Sequence, residues 1–210
     1  MAGRTTKTLV GCRRRPLVAA LVVAGISAVA VLAVVITTPQ TARPGSTASA
    51  HGRDAAQAIS SAFAVLSAAD TDVCQDMSDL PAIERYVGAL PAAAHMQGSC
   101  CSAMDLHHYA MQFDALKHYA AIAAIPPDPY DISKTQSEEL LGFYNNIHLD
   151  QAQQEIFAAA QAQTSDHGWC CCQCWAWYTH AGLAKYLITA SGFDATRTAR
   201  VIDLEDCCGG

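Results

Sequence analysis

The sequence predicts an all-α fold. Three observations carry this. Apolar residues recur at helical spacing in one segment after another, and most of those segments open at a residue able to cap a helix. No alternating apolar–polar run reaches useful strand length. In full, the expectation is one N-terminal transmembrane helix, a flexible linker, and a compact helical ectodomain around a cysteine-rich cluster.

The first element is the apolar run Leu17–Ile36, 20 residues without a charge. At 1.5 Å per residue that length covers roughly 30 Å of hydrocarbon. Pro16 and Pro39 bracket it, so residues 17–38 are assigned as the span. Arg13, Arg14 and Arg15 precede it, which places residues 1–16 in the cytoplasm as a basic tail and everything after the span outside. The other option is a cleaved signal, with the small residues Ala48–Ala50 ("ASA") as the cleavage site. Residues 39–53, rich in Pro, Ser, Thr, Gly and Ala, read as a flexible linker.

The domain is placed at 54–210. Asp54 can cap a helix bearing Ile59, Ala62, Phe63 and Leu66 on one face. Ser78 or Asp79 precedes a helix with Pro81 in its first turn. Ser102 opens a long helix to about Ile125, stopped by Pro126 and Pro127. Ser133 or Ser137 starts the next, and Asp150 caps "QAQQEIFAAAQAQ". A helix after Trp169 runs to about Ala190, apolar almost all round and hence central, with Gly192 as its stop. Asp194 caps a short final helix.

The chain carries 13 basic and 19 acidic side chains, for a net charge of −6. Five of the basic ones lie before residue 40 and no acid does, leaving 8 basic against 19 acidic beyond it, a balance of −11. A nucleic-acid binder needs a basic face, so no nucleic-acid partner is expected. The hydrolase and phosphate-binding signatures G-x-S-x-G, H-E-x-x-H and the P-loop are missing, so the sequence is silent on conventional hydrolysis.

Ten cysteines carry the chemistry. Cys12 falls in the basic tail. The remaining nine are Cys74, the doublet Cys100–Cys101, the cluster Cys170, Cys171, Cys172 and Cys174, and the doublet Cys207–Cys208. Nine is odd, so disulfides within one chain cannot use them all. If the cluster opens a helix, Cys170, Cys171 and Cys174 share a side while Cys172 points toward the face of Ala176 and Leu183. His167 lies just upstream. A C-x-x-C bite at a helix N-terminus suits both a soft metal and a reactive dithiol, because both need thiolate. The metal-ligand candidates are His167, Cys170, Cys171, Cys174, Cys100 and Cys101, and the cofactors are zinc or copper(I). No C-x-x-C-H occurs, so covalent haem attachment is excluded. A second soft set, Met104, His108, Met111 and His118, forms a stripe on the 102–125 helix with His107 beside it, and His95 and Met96 precede the first doublet. Met and His at such spacing also fill gaps and face water.

The stretch "DHGWCCCQCW" (Asp166–Trp175) resembles the Asp-x-His-Gly-x-x-Cys-x-x-Cys part of bacterial membrane-attached proteins with a PCYCGC motif, a family of unknown function. "GSCCS" (Gly98–Ser102) lies where that family carries its Cys-rich string, although the PCYCGC string itself is absent. By position His167, Cys171 and Cys174 match the family's His and C-x-x-C. The resemblance implies an anchored, extracytoplasmic, cysteine-clustered helical domain, and no particular activity.

The sequence therefore supports a single-pass cell-membrane protein with its N-terminus in the cytoplasm and an extracytoplasmic domain that binds a soft metal. The alternatives are a disulfide-stapled interaction domain without metal and, third, a thiol–disulfide exchange protein.

Overall fold

The computed structural model describes residues 47–69 and 79–209. The expected tail, the 17–38 span, the first part of the linker, Cys12, Cys74 and Ser78 lie outside the described residues. Among the described residues no helix is long and apolar enough to cross a membrane.

The fold is helical. Helix α1 spans Thr47–Leu66, so half of the segment read as a flexible linker is helix. Its Ala-rich composition favours that state. Helix α2 spans Leu80–Ala89, with Asp79 at the N-cap position and Pro81 in the first turn. Helix α3 is Leu106–Leu116, followed by a 3₁₀ turn at Lys117–Tyr119. This is shorter than the expected 102–125 helix. Asp105, not Ser102, caps it, its carboxylate accepting the His108 N–H at 2.8 Å, and the chain before Asp105 is loop. Helix α4 (Lys134–Asn146) is capped by Ser133, whose hydroxyl accepts the Gln136 N–H. Helix α5 (Gln151–Gln163) opens with a reciprocal capping box between Asp150 and Gln153. Helices α6 (Trp175–Ala190) and α7 (Ala195–Leu204) complete the set, α7 capped by Asp194 as expected.

One element was not foreseen. Strands β1 (His95–Gln97) and β2 (Asp131–Ser133) pair antiparallel, with Met96 opposite Ile132. At three residues each they are too short to show a period-2 pattern. Met96 and Ile132 point into the core, and His95 Nδ1 lies 2.7 Å from Asp131 on the outer side.

Two apolar clusters lie about α6. One gathers Ile83, Val87, Met96, Tyr109, Tyr130, Ile132, Leu141, Trp175 and Tyr178. The other gathers Leu116, Leu140, Ala160, Trp169, Leu183, Leu187, Phe193, Val201 and Ile202. Helix α6 supplies both, and 11 of its residues are buried, as the near-continuous apolar sequence requires. Its most extensive packing is with α4. That closeness needs Gly182, because a Cβ there would stand 2.0 Å from the Leu140 carbonyl oxygen.

The cap at Asp150 gives a first test. Asp150→Ala removes the acceptor for Gln153 N–H (2.9 Å) and half of the capping box. The expected loss is about 1 kcal/mol, read as a lowered urea midpoint with an unchanged slope. An unaltered midpoint would mean that α5 is held by packing alone.

Candidate metal centre

The cysteines between Trp169 and Trp175 are not helical. Helix α6 begins at Trp175 with Cys174 as its N-cap residue, in an extended backbone (φ −120, ψ −169). The expectation that Cys172 points away from its neighbours rested on helical spacing, and the loop removes that premise. Cys172 instead joins two of the sulfur groups described below.

The loop is hung from both sides. The Thr164 hydroxyl accepts the Gly168 N–H at 3.1 Å, and the Ser165 N–H donates to the Asp203 carboxylate at 2.8 Å. His167 takes a left-handed backbone (φ 50), which turns the chain toward the core. Buried His180 on α6 lies 2.6 Å from the Trp169 carbonyl oxygen, so its Nδ1 carries the proton and donates. His180 is thus the satisfied structural histidine that a lone histidine on an apolar helix suggests.

Two further segments meet this loop. The 98–105 loop and the last residues run side by side: Cys100 N–H donates to the Cys207 carbonyl (2.9 Å) and Asp105 N–H to that of Gly209 (3.1 Å). The Ser99 and Ser102 hydroxyls donate to the carbonyls of Cys207 and Cys208. Buried Gln112 donates to the Asp206 carbonyl at 2.7 Å. The approach at Gly209 is close enough that a Cβ would lie 2.6 Å from Ser102 oxygens, and its φ of 99 suits glycine alone.

The result is a continuous patch of sulfur. Cys101 Sγ lies 3.1 Å from Cys171 Sγ, which lies 3.3 Å from Cys208 Sγ, which lies 3.3 Å from Cys170 Sγ. Three groups of ligand atoms fall within 4.8 Å of one another: Asp166 with Cys170, Cys171 and Cys208; Cys101 with Cys171 and Cys172; and Cys170 with Cys172 and Cys174. Each can hold a metal ion. No disulfide joins any two of the eight described cysteines.

Of the residues expected as ligands, Cys101, Cys170, Cys171 and Cys174 each enter one or more of the groups, but no group holds Cys170, Cys171 and Cys174 together, and the C-x-x-C pair Cys171 and Cys174 is split between groups. Cys100 lies beside Cys207 (Sγ–Sγ 3.5 Å), outside the three groups. His167 is exposed, its Nδ1 3.1 Å from the Ala162 carbonyl, and it belongs to none of them. The groups add Cys172, Cys208 and Asp166, which were not expected. No local pattern signals Cys208, which reaches Cys170 and Cys171 across 38 and 37 positions. Of the methionine–histidine stripe, neither His108 nor His118 is in the three groups, and Met111 is 52% exposed.

Charge in the patch is shared unevenly. Thiols of Cys172 and Cys208 donate to Cys101 and hold its pKa well below the ordinary thiol value. Cys172 and Cys208 are in turn pushed up, first by that hydrogen bond to Cys101. Cys170 is raised by its bonds to Cys172, Cys174 and Cys208 and by burial, and Cys171 by burial first, to about 11. The patch therefore carries a thiolate at Cys101 among thiols that resist losing a second proton, because a second anion would stand beside the first. A cation reverses that preference, so metal uptake releases protons. Burial, followed by Asp206 and Asp203, raises the Asp166 carboxyl. Asp166, Asp203, Asp206 and His108 line a cavity of about 240 Å³ that borders the sulfur patch through Asp166.

No protein-family model matches the chain, and no curated protein or solved structure matches it.

Proposed function

We propose that the protein is a membrane-anchored, extracytoplasmic helical protein whose cysteine cluster binds a soft metal, zinc or copper(I). One observation carries the metal reading: six cysteine sulfurs from three distant stretches of chain (Cys101; Cys170, Cys171, Cys172, Cys174; Cys208) fall into interlocking ligand groups, with one carboxylate beside them. Thiolates at this density suit soft ions. The anchor and the outward orientation rest on the apolar run Leu17–Ile36 and the arginines before it. The resemblance of Asp166–Trp175 to the PCYCGC-motif proteins agrees with this placement.

Metal analysis of the purified full-length chain tests the reading. We expect stoichiometric zinc or copper after expression with either ion, and loss of it in the Cys171→Ser/Cys174→Ser double variant, which breaks all three groups. Mass spectrometry of the alkylated, non-reduced protein should find Cys171 and Cys174 reduced in the loaded protein. Fixed disulfides at both, with no metal, would overturn it.

A second reading has one specific support. The Cys100–Cys207 pair sits outside the ligand groups, and its two chains are already joined by the Cys100–Cys207 backbone bond. That pair is suited to a structural staple beside the metal site. Thiol–disulfide exchange, the third reading, has among the described residues only the two-stranded β1–β2 sheet, not the βαβ scaffold on which dithiol motifs of that kind ordinarily stand.

A further inference from the structure

The three ligand groups overlap in a particular way. Leaving the carboxylate aside, they are three sulfur triads: Cys101, Cys171, Cys172; Cys170, Cys172, Cys174; and Cys170, Cys171, Cys208. Any two triads share one sulfur. Cys172 links the first and second, Cys170 the second and third, and Cys171 the first and third. Cys101, Cys174 and Cys208 each belong to one triad alone. Three ions, one in each triad, are held at the same time only if the shared sulfurs bridge them. A thiolate sulfur has lone pairs enough to bridge two ions, so shared sulfurs are what a multinuclear cluster requires.

The bond count closes. One ion in each triad makes three bonds, nine in all. Three bridging sulfurs supply six and three terminal sulfurs supply the other three. Metal and bridging sulfur then alternate around a closed ring. Three-sulfur coordination fits monovalent copper, a soft d¹⁰ ion content with three thiolates, whereas zinc takes four ligands. Only the triad with Asp166 offers a fourth.

We propose that the six sulfurs hold three copper(I) ions in one ring, in which Cys170, Cys171 and Cys172 bridge the ions and Cys101, Cys174 and Cys208 each bind one ion terminally. This rests on the soft-metal reading above and sharpens it, making a multi-ion copper load the cargo. Asp166 then stands outside the ring, with the cavity it shares with Asp203, Asp206 and His108 on that side.

The test is anaerobic titration of the reduced full-length chain with copper(I), followed by native mass spectrometry. Three ions per chain are expected to enter together, with few singly loaded molecules, because each ion completes ligands for the next. Bridging and terminal sulfurs give different losses. Cys172→Ser strips a ligand from two ions and should drop the load from three to one. Cys101→Ser affects one and should leave two. Cys100→Ser/Cys207→Ser should still bind three, which also shows that serine at this face does not by itself unfold the chain. Equal losses for Cys172→Ser and Cys101→Ser, or a load of four or more, would overturn the ring. A single zinc with no cooperative copper uptake would overturn the ring and leave the soft-metal reading standing. No uptake of either ion would remove both.

Discussion

Gly182→Ala is expected to destabilise the protein by about 3 kcal/mol or more, lowering the melting temperature by roughly 6–12 °C for a domain of this size. The added methyl would meet the Leu140 carbonyl oxygen at 2.0 Å, the Leu140 carbonyl carbon at 3.1 Å and the Tyr144 N at 3.0 Å. All three are backbone atoms of α4, so no side chain can swing aside. The helix itself has to move. It cannot move freely, because Leu140 and Leu141 are buried in different apolar clusters and Lys185 of α6 donates to the Tyr144 carbonyl. Gly88→Ala is the control. Gly88 lies in α2 with nothing within 4 Å of a Cβ, so alanine there should be neutral or stabilising by about 0.5–1 kcal/mol through helix propensity. If the two variants melt together, the tight α4–α6 crossing is not what holds these helices.

Glu205→Gln is expected to stabilise the protein, by about 2 kcal/mol at pH 8 and by little near pH 4. The Glu205 side chain is 1% exposed, and neither carboxyl oxygen has a hydrogen-bond partner among the described residues. Burial first, and then Asp128, push its pKa well above the ordinary 4.5. Its place at the C-cap of α7 adds the negative end of the helix dipole. The unfolded chain gives up this proton near the ordinary value, while the folded chain holds it to higher pH. Between those limits the folded state binds more protons, so stability is fullest below about pH 4.5 and falls as pH rises. Glutamine cannot ionise, and its neutral amide has the same shape. Urea midpoints of both proteins at pH 5 and pH 8 measure the difference. Asp128 is also raised by burial and is coupled to Glu205 through charge, so the pH-dependent gap between the two proteins reports Glu205 together with that coupling. A gap between the two proteins that stays constant with pH would show that Glu205 is not held protonated.

The sequence made some features plain and hid others, for reasons that lie in range. Asp150, Asp194, Ser133 and Pro81 act on backbone groups within one turn of themselves, and the helices they open are where local chemistry puts them. The 102–125 region misled because its helical spacing continues through residues that the fold uses as loop. Ser99 and Ser102 are engaged with the last residues of the chain, and Asp105 offers a better cap. The cysteine loop misled in the same way. Periodicity assigned Cys170, Cys171 and Cys174 a common side, but in the loop tied to His180 and Thr164 Cys170 groups with each of the other two separately, and Cys171 and Cys174 fall in different groups. That error is what set Cys172 aside. Cys208 was hidden for a different reason: it meets Cys170 across 38 positions and Cys171 across 37, and no local pattern encodes such a contact.

The span of those contacts has a consequence for the order in which the molecule is assembled. The Cys101–Cys171 approach crosses 70 positions and the Cys100–Cys207 approach 107. Helices α4 to α7 can form and dock through shorter closures, whereas the sulfur patch exists only after the longest ones are made. Cys100 and Cys101 are therefore the last thiols to join the patch, because Cys170 and Cys171 meet Cys208 across only 38 and 37 positions. An oxidant arriving before they do meets isolated cysteines and can pair them wrongly. A metal ion arriving then meets partial ligand sets, most completely the four sulfurs of the 170–174 loop. The timing of metal supply against that of oxidation would decide which population of molecules accumulates.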